Sequence, residues 1–534
     1  ANSLGANTVL GVNALDASVT GDNNTAIGHS VLSNLTSGTF NVGLGARALV
    51  NHTTGSQNTA CGYAALEQQT TASLNTAMGF AALRNSTANN NTAIGHNAAL
   101  STTSGAANTA IGAAALDSNT TGANNVALGI NALGANTTAN LNTAVGASAL
   151  GANTTGTLNV AIGGNALDAN TTASNNTAIG YASLGANTTG ANNTAVGSGA
   201  LDANTTGNSN ATLGLNALGA NTTGSDNASF GYNSMLDNTS GGSNTALGSS
   251  ALRENTTASN NTAVGRSALG VNTTGTQNTA VGASALDANT TANNNTAVGY
   301  NSQTNNTTGA SNSAFGAGSL QVNTTGGSNT AVGNNALQSN TTASNNTALG
   351  ATALLANTTG TGNVAVGSET FDANTTGSFS TAVGSLALTS NTTGNNNTAF
   401  GRRALQENTT ANNNVAVGHE ALKLNTTGTN NVAVGSLALD ENTTGTQNTA
   451  VGSLALDSNT TASENTAIGY EALSGTTTGA SNTAVGHQCG TNNSTGTRNV
   501  AVGNTTLFYN TTGSDNTALG RGALTANTTA SNNT

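Results

Sequence analysis

The sequence predicts an all-β chain: a parallel β-solenoid (β-roll) of about 31 coils with 17 residues per coil. Three observations predict it. The fragment Asn-Thr-Ala-Val-Gly recurs in close variants. Its glycine falls at Gly11, Gly28, Gly45, Gly62 and Gly79 and, after one residue is lost near Arg84, at Gly95 and every 17th residue to Gly520. The chain has 68 Gly and no Pro, with β-branched residues between the glycines, which reads as short strands joined by tight turns. A helical repeat needs about twice this length, so a helix pair has no room.

With this glycine at position 5, the unit reads Asn, Thr, Ala, Val/Ile/Leu, Gly, two variable residues, Ala, Leu, two variable, Asn, Thr, Thr, Gly/Ala, two variable. Residues 1–534 form a single continuous repeat domain, and because the chain starts and stops inside a repeat it reads as a fragment of a longer chain.

Only 5% of residues are charged and 3% aromatic, so an ordinary multidomain enzyme core is excluded. The net charge of -11 offers no cationic surface for nucleic acid or anionic lipid, and no apolar run approaches the roughly 18 residues of a membrane span. Cys61 and Cys489 lie too far apart in sequence for a CxxC pair, and two cysteines make no disulfide framework.

Comparing the repeats with one another sorts inside from outside. All nine basic residues, Arg47, Arg84, Arg253, Arg266, Arg402, Arg403, Lys423, Arg498 and Arg521, fall at positions 6, 7, 10 or 17, which therefore face water. Position 4 is nearly always aliphatic and position 9 mostly Leu, so both are expected inside. Val145, Ile162, Ile179 and Val196 would form one stack and Leu150, Leu167, Leu184 and Leu201 another. Strand alternation then turns Ala144, Ala161, Ala178 and Ala195 outward as a flat apolar face. Burying one Val and one Leu per coil falls well short of the cost of ordering 17 residues, so this alanine face is expected to be a self-association face.

Position 1 is Asn in nearly every repeat and precedes a strand, which reads as a turn or ladder asparagine. Position 12 is Asn from Asn119 onward except at Thr476, and it heads an N-x-[ST] sequon. The candidate glycosylation sites are Asn119, Asn136, Asn153, Asn170, Asn187, Asn204, Asn221, Asn272, Asn289, Asn323, Asn340, Asn357, Asn374, Asn391, Asn408, Asn425, Asn442, Asn459, Asn510 and Asn527. The competing reading is an unmodified Asn-Thr-Thr-Gly turn copied with the repeat.

Chemistry-bearing groups are scattered. His29, His96, His419 and His487 stand singly at position 6 and His52 at position 12, so neither a metal pair nor a catalytic triad can be assembled, and no cofactor is expected. Tyr63, Phe80, Tyr181, Tyr232, Tyr300 and Tyr470 at position 6 are either solvent-facing packing or sugar-stacking contacts.

The fragments Asn-Thr-Ala-Ile-Gly at 176–180, Ala-Leu at 166–167 and Asn-Thr-Thr-Gly at 187–190 resemble two repeat families. One is the head β-roll of YadA-like trimeric autotransporter adhesins. The other is the NTA[IV]GxxAL…NTTG repeat of phage tail-fibre-type proteins and bacterial surface proteins. The resemblance implies an extracellular, cell-surface or virion-surface fibre, self-associated as a homotrimer or filament and able to contact glycans or a host receptor. The expected function is a structural shaft with an adhesive or display role and no catalysis. The alternatives are a glycosylated filament and, in a different class, an ice- or carbohydrate-binding solenoid using the threonines of positions 13 and 14.

Overall fold

The computed structural model describes residues 6–534, and among them it has 31 strands of three residues each and no helix. The chain divides into two compact units, one ending at Ala263 and the other running from Val264 to Thr534. Each is a parallel β-solenoid with one repeat per coil. In the first, strand Val160–Ile162 pairs with Thr143–Val145 and Thr177–Ile179, and Ala161 is in register with Ala144 and Ala178. In the second, Thr398–Phe400 pairs in the same way with Thr381–Val383 and Val415–Val417.

Backbone ladders join successive coils on every side, not only along the strands. Thr177 N donates to Asn193 O at 2.8 Å, Leu184 N to Ala200 O at 2.9 Å and Thr188 N to Thr205 O at 3.0 Å. Positions 5, 7, 9 and 17 of each coil take positive φ, and two of them show what this demands. Gly180 has φ +137°, and a Cβ there would lie 2.5 Å from the carbonyl oxygen of Gly197, so only glycine closes this corner. The leucines of position 9 are also left-handed: Leu150, Leu167, Leu184 and Leu201 have φ of 51°, 52°, 55° and 54°. That conformation costs roughly 1–2 kcal/mol per residue, about what burying the leucine contributes, so the side chain fixes a corner it can barely stabilise alone.

The structure reverses one expectation about the strand. Ala144, Ala161, Ala178 and Ala195 are fully buried, whereas Ile162 and Ile179 are 39% and 37% exposed and Val145 and Val196 are half-exposed. The alanine row lines the interior and the aliphatic row of position 4 faces out. Alternation holds; its parity is inverted. The reason is the width of the coil. Position 3 packs directly on position 8, and where position 8 carries Val31, position 3 carries Gly43, at which a Cβ would lie 2.4 Å from Val31 Cγ1. An isoleucine has no room there. Leu150, Leu167, Leu184 and Leu201 are buried as expected.

The lost residue also sits a little beyond Arg84. Leu83 to Thr87 keep their places, with Thr87 N donating to Thr103 O at 2.9 Å, and the Ala88 carbonyl takes the position-15 role by accepting from Asn75 Nδ2 at 2.9 Å. Position 14 is the one missing, so the tightened turn lies at Thr87–Ala88. Position 14 is exposed in neighbouring coils, and its loss leaves Thr76–Met78 in register with Thr92–Ile94.

Candidate functional site

The repeat places its functional side chains in rows, each renewed once per coil. The two asparagine rows lie inside and converge on one atom. In the coil that starts at Asn193, the Gly207 carbonyl accepts from Asn193 Nδ2 at 2.9 Å and from Asn204 Nδ2 at 3.0 Å. Each asparagine also reaches a neighbouring coil: Asn193 N donates to Asn176 Oδ1 at 2.9 Å, and Asn204 Nδ2 donates to Asn187 Oδ1 at 2.9 Å. The position-12 ladder runs from Asn119 to Asn255 in the first unit and from Asn272 to Asn459 in the second. Its amides donate to two acceptors each and are fully buried.

This overturns the reading of the position-12 asparagines as glycan carriers. Among the candidate sequons, Asn119 through Asn459 are wholly inside and Asn510 is 1% exposed, while Asn527 near the end of the second unit is half-buried and still bonded to Asn510 Oδ1 and Ala530 O. An N-linked sugar replaces an Nδ2 hydrogen, and at the fully buried candidates both hydrogens are used and the amide has no access to solvent.

The alanine row Ala144, Ala161, Ala178 and Ala195 is interior and so is not a self-association face. The surface that does face out on that wall is built by positions 17, 2, 4 and 6. Over coils from Phe40 to Leu215 it presents no Asp, Glu, Lys or Arg, and Leu44, Met78, Leu128, Ile130, Leu158 and Leu213 are among its exposed apolar side chains.

The aromatics of position 6 are exposed, but where they fall in successive coils they cover one another. Tyr63 stacks on Phe80 with centroids 5.3 Å apart, and Phe80 on His96 at 5.2 Å. Stacking inside the row occupies the ring faces a sugar would use. The threonines of positions 13 and 14 do not make one flat array either: Thr188 Oγ1 is tied to the Thr205 carbonyl at 3.0 Å, while Thr189 beside it points to solvent.

The charged residues lie on outward rows, and one of them, at position 10, is covered there by its partners, which sequence reasoning passed over. Glu67 has a fully buried side chain and is held by Arg84 Nε at 2.5 Å and by Arg47 Nε at 2.6 Å. Burial pushes its carboxyl up, but the two guanidiniums outweigh this and hold it below the usual carboxylate range. An acidic residue flanked by arginines in the adjoining coils was the available signal.

A shallow trough of about 570 Å³ is rimmed by Asp117 and Asp168, where Gly134 and Gly151 remove the side chains between them. Among the described residues no group of three or more His, Cys, Asp and Glu side chains is arranged to hold a metal ion, and no helix is long and apolar enough to cross a membrane.

Compared with known families and curated proteins, the chain matches no family model and no curated sequence.

Proposed function

We propose that this chain is a structural shaft segment of an extracellular, cell-surface or virion-surface fibre, which self-associates as a homotrimer or filament and displays its variable positions for adhesion to glycans or a surface receptor. The role is mechanical and not catalytic. The observation that carries this reading is the division of labour within the repeat. Interior rows 1, 3, 8, 9 and 12 are nearly uniform over many coils, while substitution is concentrated at outward positions 6, 7, 10, 11, 16 and 17. Such a chain holds a changeable surface at fixed spacing.

The uncharged wall from Phe40 to Leu215 supports self-association. At about 4.8 Å per coil and 3.3 Å per residue, eleven coils offer roughly 800–1,000 Å² per copy, the size of a standard interface. A second copy also carries rows at the same spacing, so ridges and grooves match by construction.

Analytical ultracentrifugation of the full chain tests the reading. Association at micromolar concentration that is abolished by Leu128→Lys with Ile162→Lys, with β content retained by circular dichroism, is the expected result. A chain that stays monomeric at tens of micromolar contradicts the self-association, and immunogold labelling confined to the inside of intact source cells or particles contradicts the location.

A further inference from the structure

The interior rows are regular through most of the second unit but fail together over two successive coils, Asn465–Ser481 and Asn482–Arg498. Three different rows are involved. In row 12, Thr476 replaces asparagine, so Asn459 Oδ1 loses the donor the next coil should bring. Both Asn459 Oδ1 and Thr476 Oγ1 are buried without a hydrogen-bond partner, and Asn493 Nδ2 donates only to the Gly496 carbonyl, at 3.0 Å. In row 9, Gly490 replaces leucine and leaves a small cavity of about 10 Å³ between Leu473, Ala484, Ala501 and Leu507. In row 8, alanine is replaced by Cys489, fully buried, whose thiol donates to the Ala501 carbonyl at 3.2 Å.

Two of the departures, Thr476 and Gly490, remove an interior contact, the third sets a buried thiol beside them, and all three fall in adjoining coils. In a stack held only by its neighbours, stability is a sum of coil-to-coil interfaces and the weakest interface opens first. We propose that these two coils are a built-in opening point of the second unit, at which the stack parts locally and uncovers Cys489 while the coils carrying the Asn272–Asn459 ladder stay closed.

Closed, the site is silent. Burial pushes the Cys489 thiol up to about 11, and a thiol so placed supplies almost no reactive thiolate. Reaction at Cys489 therefore reports opening. The gap is not forced by the backbone: Gly490 has φ +64°, close to the 47–56° of leucines elsewhere in row 9, so a leucine is compatible with this corner once Leu473 swings back from the vacated space. Opening is thus a property of the residues chosen here and not of the coil geometry.

The test measures labelling of the full chain by a small aromatic disulfide under native conditions, in a Cys61→Ser background. Cys489 is compared with a cysteine placed in the same row of a regular coil, Ala404→Cys combined with Cys489→Ala. Cys489 is expected to label at least roughly tenfold faster, since an absent buried leucine and an unpaired ladder acceptor each weigh on the local opening equilibrium. Gly490→Leu with Thr476→Asn should slow Cys489 to the rate of the control. Equal rates in the first comparison, or no slowing in the second, overturn the proposal. Should Ala404→Cys fail to fold, hydrogen exchange on the unaltered chain decides: the amides of Leu473 and Gly490 must exchange ahead of those of Leu405 and Leu422, and uniform exchange overturns it.

Discussion

Two regions of the first unit solve the same problem differently. From Asn119 onward, position 12 is asparagine in every coil of that unit, and the side chains form an unbroken ladder. In the coils before it the same position holds Ser18, Leu35, His52, Gln69, Ser86 and Thr102. The need they meet is the position-15 carbonyl. His52 Nε2 reaches Gly55 O at 2.8 Å and Gln69 Nε2 reaches Ala72 O at 2.6 Å, each alongside a position-1 asparagine that bonds the same oxygen at 3.0 Å. Leu35 offers nothing, and the Gly38 carbonyl is still satisfied by Asn24 Nδ2 at 3.0 Å. Row 1 is therefore the donor these early coils share and row 12 a second one; in the second unit, where row 1 holds Ser380, Asn391 Nδ2 of row 12 reaches the Gly394 carbonyl at 3.2 Å. An asparagine in row 12 gains its full value only when the coils on both sides carry one too, because its Oδ1 needs the next amide and its Nδ2 the previous oxygen.

The largest expected effect breaks the ladder. Asn187→Leu strands the Asn204 amide, the Asn170 oxygen and part of the Gly190 carbonyl's bonding, and should lower local stability by about 3–5 kcal/mol, read as hydrogen exchange of the Thr171–Thr205 amides. The reciprocal change Leu35→Asn, set where no ladder exists, should stay within about 1 kcal/mol. Similar losses for the two would dissolve the distinction between the regions.

Next comes the clamp around Glu67, which the ladder coils of the first unit lack. Glu67→Gln removes the charge that Arg47 and Arg84 share and one of the two oxygens that accept from them. Because both arginines are about half-exposed, the loss should be roughly 1–3 kcal/mol and not the larger cost of a fully enclosed pair. It should appear as earlier exchange of coils 41–91 with coils 119–255 unchanged.

Acid should then move the two kinds of coil in opposite directions. Burial holds the His52 imidazole below its usual value, so the early coils are fully stable above about pH 6.5 and lose stability as pH falls through the lowered value. Glu67, also held low, adds a loss of the same sign at more acid pH. In the ladder coils of the second unit, burial first and then the like charges of Glu441 and Glu471 push Asp457 up to about 6, so its penalty is present above pH 6 and is relieved as pH falls through it. Between pH 7.5 and 5, with the intrinsic slowing of amide exchange in acid divided out, protection of the early coils should fall and that of the coils around Asp457 should rise. His52→Asn and Asp457→Asn should each abolish their half of the contrast.

The smallest effect checks the inverted strand. Ile179→Thr, on the outward row, should change stability by no more than about 0.5 kcal/mol. A loss of several kcal/mol there would restore position 4 to the interior.

Much of this was legible in the repeat. The outward arginines and the buried Leu150–Leu201 row followed from comparing coils. The parity of the strand was legible too, in a feature easily misread. Position 3 is Ala in 27 of 31 repeats, with Val9, Gly43, Thr212 and Ser229 as its small exceptions, whereas position 4 accepts anything from Cys61 to Phe230, Phe315 and Phe400. Uniform size marks a confined site and tolerance of size marks an open one; hydrophobicity alone pointed the other way. The sequons hid the ladder for a related reason. Asn-Thr-Thr reads as an exposed turn because asparagine is usually outside, and nothing in a single coil shows that the next one brings its partner.

The period, the parallel register, the glycine corners and the placing of charge were determined by sequence alone, because each depends on one repeat and its copy 17 residues on. Which strand face turns inward, and whether a polar side chain is paired or solvated, were decided only by the closed coil. Alternation is symmetric between the two faces, and the distance across the coil, too narrow for isoleucine and wide enough for alanine against leucine, breaks that symmetry.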